Sequence, residues 1–240
     1  MRMRVAIVSV PPVSPAGLAD LEAIWAGRAS AAYYSVLPDT EPDSIRPYMA
    51  AAGEKVLMLG LGGPSPSAVS IARLTPRLEK TLASLAGLAD FAFFPCGGDF
   101  PRLRSPVPLV QPNLVFRNLV KTVLRPGMRV GVITPGSPQV AHVRASWLPY
   151  LAEAGLAESQ LVVDWAPPVP EVVTECARRL AAARVDLVAV ECLGFREALR
   201  QRIAAVVGKP VFLVREAAAL PLREMVGGVL SGGREPEQGA

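Results

Sequence analysis

Two cysteines in this chain occupy matching contexts. Ala89-Asp90-Phe91-Ala92-Phe93-Phe94-Pro95-Cys96-Gly97-Gly98 stands near the middle, and Val185-Asp186-Leu187-Val188-Ala189-Val190-Glu191-Cys192-Leu193-Gly194 stands near the end. In each, an Asp opens an apolar run, a Cys comes six positions after the Asp, and a Gly two positions after the Cys. A thiolate is a base as well as a nucleophile, and its pKa falls at a helix N-terminus or beside backbone donors. Two thiols on opposite sides of a carbon acid form a proton-transfer pair. One, as thiolate, removes the proton from one face while the other delivers a proton to the opposite face. Configuration inverts without a cofactor, and backbone N–H groups and hydroxyls would hold the charge that develops on a neighbouring carboxylate. A single Cys is equally a small buried hydrophobe; the repetition of position and context is what argues for a pair. Cys176, within Val172-Val173-Thr174-Glu175-Cys176-Ala177, has neither loop nor partner and reads as helix core.

The elements that must position these thiols follow from the same runs. A continuous apolar run bounded by turn residues reads as a strand buried on both faces. Each Cys therefore sits where a strand ends and a Gly-assisted loop begins, ahead of a helix. In open parallel sheets that edge is where ligands bind. A second echo runs alongside: Arg129-Val130-Gly131-Val132-Ile133-Thr134-Pro135 repeats Arg4-Val5-Ala6-Ile7-Val8-Ser9-Val10, with Ser9 and Thr134 at equivalent ends. Asp90 and Asp186, at the starts of the Cys strands, read as turn residues.

Other strands are expected at 32–37, 55–61, 107–110, 161–165 and 211–214. Helices are expected at 18–25, 74–85, 112–120, 139–154, 170–183, 197–206 and 217–226, and an irregular surface flap over 38–53. Such alternation implies parallel sheets with right-handed crossovers. The expected fold is α/β: two pseudo-symmetric domains, each a small parallel sheet flanked by helices, with Cys96 and Cys192 facing each other across a cleft. The first domain takes 1–116 plus a returning helix at 217–230, the second takes 117–216, and 231–240 is a disordered tail. Gly60-Leu61-Gly62-Gly63-Pro64-Ser65 lacks the Lys-Ser/Thr of a phosphate loop, and Pro64 and Pro66 interrupt any helix, so it reads as a tight turn.

Composition narrows the function classes. A chain of 240 residues, 51% hydrophobic and 19% charged, can bury a proper core. No apolar run approaches the ~18 residues of a membrane span, and the short apolar N-terminus runs into Pro11-Pro12 like a first strand, so a cytoplasmic protein is expected. Three cysteines without metal-ligand spacing and one histidine, His142, argue against a metal site or disulfide framework. The net charge of +4 is scattered, giving no nucleic-acid face but suiting a small anionic substrate. Three further groups are candidates for auxiliary roles. Asp99 and Glu191 neighbour the cysteines and are read either as orienting a thiol or binding a substrate amine, or as a cap and an inward-pointing residue. His142 is a neutral-pH proton carrier or a surface residue.

Val190-Glu191-Cys192-Leu193-Gly194-Phe195, followed by Lys209-Pro210-Val211-Phe212-Leu213, resembles the Cys-Leu-Gly-Phe segment of the AroM-like proteins, within the aspartate/glutamate racemase superfamily. Val130 to Trp147, and more loosely Val69 to Lys80, fit the same pattern. The resemblance implies two α/β domains related by a pseudo-twofold, a cleft with one Cys from each, no pyridoxal phosphate, and dimers in some relatives. It matches Cys96 and Cys192 to the catalytic positions, and Thr134 and Ser137 to a hydroxyl loop that holds substrate carboxylate. Ser9, Gly97, Gly98, Leu193 and Gly194 complete the expected substrate-binding set. Racemases of the superfamily follow the first Cys with a polar pair, where this chain has Gly97-Gly98-Asp99. The expected function is cofactor-independent racemisation or isomerisation of a small, amino-acid-like carboxylate. The alternatives are a single-cysteine isomerase or decarboxylase on a small dicarboxylate, and a non-catalytic ligand-binding relative.

Overall fold

Strands that are apolar at every position need cover on both faces, and the chain meets that need twice. The computed structural model describes residues 2–12, 15–37, 39, 41–60 and 66–227. Its strands in chain order are β1 (Met3–Ser9), β2 (Ala29–Ser35), β3 (Val56–Leu59), β4 (Ser67–Ser70), β5 (Phe91–Phe93), β6 (Leu109–Val110), β7 (Val130–Thr134), β8 (Leu161–Trp165), β9 (Leu187–Val190) and β10 (Val211–Leu213). The helices are α1 (Pro15–Glu22), α2 (Pro42–Ile45), α3 (Ile71–Ala83), α4 (Pro112–Val123), α5 (Val140–Glu153), α6 (Pro170–Ala182), α7 (Glu197–Val207) and α8 (Val214–Gly227). Two four-stranded sheets run in the orders β2-β1-β5-β6 and β8-β7-β9-β10, with every neighbour parallel. Each sheet therefore repeats one topology, with β1 equivalent to β7 and β5 to β9.

The equivalence extends to hydrogen bonds. The Asp90 carboxylate accepts from the Arg4 backbone N–H at 2.7 Å, and the Arg4 carbonyl accepts from the Asp90 N–H at 2.9 Å. Asp186 and Arg129 make the same reciprocal pair at 2.8 and 2.7 Å. These aspartates clasp the start of each central strand to its neighbour, a more specific job than a turn.

Alternation along the strands divides each core in two. Ala6, Val8 and Ala92 face α3, while Val5, Ile7, Phe91 and Phe93 face α1 and α8. In the second sheet Val130, Val132, Leu187 and Ala189 face Phe116 of α4 and Trp147 of α5, while Ile133, Val188 and Val190 face α6 and α7. The closing helices are exchanged. α4 follows the last strand of the first sheet yet buries Phe116 and Val120 against the second. α8 follows the last strand of the second yet buries Ala218, Leu222 and Val226 against the first. Pro112 starts α4 at a position where a missing N–H costs no helical bond.

One expected strand falls elsewhere. β3 does not extend a parallel sheet. It pairs antiparallel with β4, from Val56 opposite Ser70 to Leu59 opposite Ser67, as a separate hairpin. Leu57, Leu59 and Val69 bury in the first core, and the Val56 carbonyl at the free edge accepts from Gln139 Nε2 of the second half at 3.3 Å. A hairpin with one edge met by a side chain has no need of a sheet. β2 begins at Ala29, earlier than expected, because it pairs with β1 from Met3 onward. The span expected as a flap carries α2 and a 3-10 turn, Arg46–Tyr48. The turn at 61–65 and the tail at 231–240 lie outside the described residues. Among the described residues, no helix is long and apolar enough to cross a membrane.

Gln139 is buried and also accepts from the Thr134 hydroxyl at 3.0 Å. Gln139→Ala strands both partners and is expected to cost about 1–3 kcal/mol in chemical denaturation, with faster amide exchange in the hairpin. An unchanged midpoint would mean that apolar contacts alone hold β3 in place.

Candidate functional site

The two cysteine loops meet. The loop after β5 is tightened by the Cys96 N–H donating to the Phe94 carbonyl at 2.6 Å and the Phe100 N–H to the Gly98 carbonyl at 2.8 Å. Phe94 and Phe100 pack edge to face with centroids 5.0 Å apart, which pins both ends of that loop. The loop after β9 closes with the Phe195 N–H donating to the Cys192 carbonyl at 3.2 Å. A Cβ on Gly97 would lie 3.0 Å from the Glu191 carbonyl oxygen, and one on Gly98 would lie 2.9 Å from Leu57 Cδ1. The first contact is with backbone and cannot yield. Gly97 is thus what lets the two halves approach, while Gly98 makes room for Leu57 of the β3 hairpin within the first half.

Between the loops lies a cavity of about 200 Å³. Cys96 and Cys192 both line it, as do Ser9, Gly97, Gly98, Leu193 and Gly194. The sequence-predicted pair is therefore brought to one space, from equivalent strand ends of two equivalent sheets. Ser9 Oγ donates to the Pro11 carbonyl at 2.7 Å. Thr134 and Ser137 do not line the cavity. The Thr134 hydroxyl is buried and spent on Gln139, and Ser137 is exposed at the start of the 3-10 turn that precedes α5. Pro135 and Gln139 line the cavity in their place.

Both thiols are held above their ordinary range. Burial pushes Cys96 up to about 12, against the lowering effect of the Gly98 N–H, which lies 3.3 Å from its sulfur; the nearby Cys192 adds to the rise. Burial raises Cys192 as well, opposed by the amides of Gly194 and Phe195. The expected depression by a helix N-terminus is not found. No helix follows Cys96 until α4, and α7 begins five residues beyond Cys192. Cys176 is fully buried in α6, as its context implied.

Behind the cavity sits a buried ion network that the sequence reading missed. Arg117 of α4 donates from Nε to Glu191 Oε1 at 2.6 Å, from Nη2 to Glu191 Oε2 at 3.0 Å, and from Nη1 to Asp99 Oδ1 at 2.7 Å. Trp147 Nε1 donates to Glu191 Oε1 at 3.0 Å, and the Arg117 guanidinium lies 5.9 Å from the Trp147 ring centroid. Asp99 Oδ2 also accepts from Lys55 Nζ at 3.1 Å and from the Ser146 hydroxyl. Burial would raise the Asp99 carboxyl, but Arg117, with the Ser146 and Lys55 donors, outweighs it and holds the group below the usual carboxylate range. Asp99 does not line the cavity and caps no helix. The Glu191 side chain points inward, as one of its two expected readings had it. His142, one turn before Ser146 on α5, is half-buried and does not line the cavity; burial lowers its imidazole, with Asp99 opposing. The signal for Arg117 was present in α4, where Asn113, Phe116, Arg117 and Val120 share one buried face. A charge on such a stripe demands partners. Arg215 of α8 makes a second clasp, to Asp20 of α1 and to the Leu193 carbonyl at 2.9 Å.

This architecture is that of known proteins. The AroM protein family matches residues 15–226. The chain belongs to the AroM family. A search of curated proteins finds no sequence match. Among solved structures, the fold is similar to a glutamate racemase from Bacillus anthracis (TM-score 0.59, 14% identity, covering 95% of this chain and 82% of that one). It is similar also to an allantoin racemase from Pseudomonas fluorescens (TM-score 0.54, 15% identity, 95% and 92%). Arylmalonate decarboxylase gives a TM-score of 0.52 at 12% identity, covering 99% and 96%. The AroM-family chain thus shares its two-sheet α/β fold with these two racemases and the decarboxylase.

Two outcomes follow from the site. Arg117→Ala leaves two buried carboxylates without their shared cation, which is expected to cost about 3–5 kcal/mol and to lower the thermal midpoint by roughly 10 °C. A loss below about 1 kcal/mol would mean that the network is solvated. For the thiols, only the thiolate alkylates. Iodoacetamide labelling of Cys96 and Cys192, followed by mass spectrometry, is therefore expected to be slow at neutral pH and to climb about tenfold per pH unit past pH 9. A plateau below pH 8 at either residue would contradict burial as the controlling term.

Proposed function

We propose that this cavity moves a proton at the α-carbon of a small carboxylate, without a cofactor, using Cys96 and Cys192 as the proton-transfer groups. One observation carries the reading: both residues line a single small cavity from equivalent strand ends of two topologically identical sheets. In the step itself, one sulfur, as thiolate, takes the α-proton and becomes a thiol. The opposing thiol gives its proton to the other face of the carbon and becomes the thiolate. No net proton or electron is exchanged, and the substrate is racemised or isomerised. The developing charge on the carboxylate falls to backbone amides of the two loops. Among the described residues, the N–H groups of Gly97 and Leu193 donate to no acceptor, which leaves them available.

A second reading is favoured by the raised thiol pKa values. Both sulfurs are protonated at neutral pH in the unliganded protein, which is the state a proton donor needs. In that reading a dicarboxylate loses carbon dioxide and one thiol protonates the resulting carbanion on carbon.

The two readings separate on substitution. Cys96→Ala and Cys192→Ala are each expected to reduce α-deuterium exchange in heavy water by at least about 100-fold, the scale of a general acid or base. If only one substitution matters, and carbon dioxide is released, the single-thiol reading takes its place. Exchange left intact in both variants would remove thiol chemistry altogether and leave a ligand-binding cleft.

A further inference from the structure

The charge inventory of the cavity sets the substrate class, given the proton-transfer reading above. Among the described residues, Glu191 is the only lining residue with an ionisable carboxylate, and no lysine, arginine or histidine lines the cavity. Glu191 is not free to serve a ligand. Both of its oxygens are taken by Arg117, and Oε1 also by Trp147. Arg117 is in turn enclosed between Glu191 and Asp99, so its charge is already matched. The residues next in sequence to Pro11-Pro12 and to Gly60, at 13–14 and 61–65, include no Asp, Glu, Lys, Arg or His.

One wall is apolar. The hairpin strand β3 supplies Leu57, Met58 and Leu59, and Pro11, Pro95 and Pro135 continue the surface. This wall is where a substituent on the reacting carbon would lie if its carboxylate sits on the loop amides.

We propose that the cavity accepts a small monocarboxylic acid whose reacting carbon carries only apolar substituents, and discriminates against amino acids and dicarboxylates. An ammonium group would find no anionic partner, and a second carboxylate no cation. Each would be desolvated unpaired, which is the costly way to bury a charge. A volume of about 200 Å³ holds an acid of four or five carbons with little room to spare. With no ammonium to acidify the α C–H, the substrate's own substituent must do so, which points to an unsaturated one.

The test uses the full chain and 2-methyl-3-butenoate, a chiral monocarboxylate with a vinyl-activated α C–H, beside 2-aminobutanoate and aspartate. Protection of Cys96 and Cys192 from iodoacetamide reads binding. The butenoate is expected to protect both residues, and the two amino acids to require at least about tenfold higher concentrations for equal protection. Equal or better protection by either amino acid, or none by the butenoate, overturns the proposal. Deuterium incorporation is read separately. Protection without exchange defeats the proton-transfer reading while the selectivity stands, and exchange on aspartate does the reverse. Met58→Lys, at a partly exposed wall position, is expected to improve protection by 2-methylsuccinate about tenfold. No improvement there would overturn the assignment of selectivity to the β3 wall.

Discussion

Everything at the cleft depends on one guanidinium. Arg117 binds a carboxylate beside each cysteine: Glu191 directly precedes Cys192, and Asp99 lies three residues beyond Cys96. It comes from a helix that belongs by chain to the first half and by packing to the second. Removing these charges from water costs several kcal/mol per ion, and hydrophobic residues of similar volume would serve stability as well. The return is geometric. A planar fork with fixed donor directions sets both loops against a single reference, so the position of each sulfur is set by the same side chain. Lys55 at the rim completes the balance, two cations against two carboxylates.

The same closeness explains the electrostatics of the thiols. Gly97 removes the side chain that would meet the Glu191 backbone of the other half, and the burial of both cysteines raises them despite amides aimed at the sulfurs. Those amides are the groups that would stabilise a thiolate, and the cavity around them is the medium that opposes it. Such tension between a donor and its desolvated surroundings is common where a group is to change protonation state.

Much of this was legible from the residues. Uniformly apolar runs announced doubly covered strands, and the repeated Asp-to-Cys spacing located both sulfurs, because strand ends in parallel sheets follow directly from burial and turn chemistry. The resemblance at Cys192 anticipated the family. What could not be read was pairing at a distance. Whether Val56 to Leu59 joins a sheet or folds on Ser67 to Ser70 depends on an edge that Gln139 meets from eighty-three residues away. The fate of the Thr134 hydroxyl rests on that same glutamine. Arg117 was visible as a charge on an apolar stripe, but its partners lie eighteen residues upstream and seventy-four downstream and leave no local trace.

The exchange of α4 and α8 has a consequence for how the molecule comes apart. Each sheet has one face covered by a helix that the chain delivers from the other half. If one half loosens, it uncovers the other's core, so the two are coupled as a single cooperative unit rather than as beads on a linker. Closing such a structure requires contacts across long stretches of chain, which places its assembly among the slower folds for its size. A cleft flanked by exchanged helices therefore resists wide opening, and traffic through it depends on small displacements of the loops and hairpin that form its mouth.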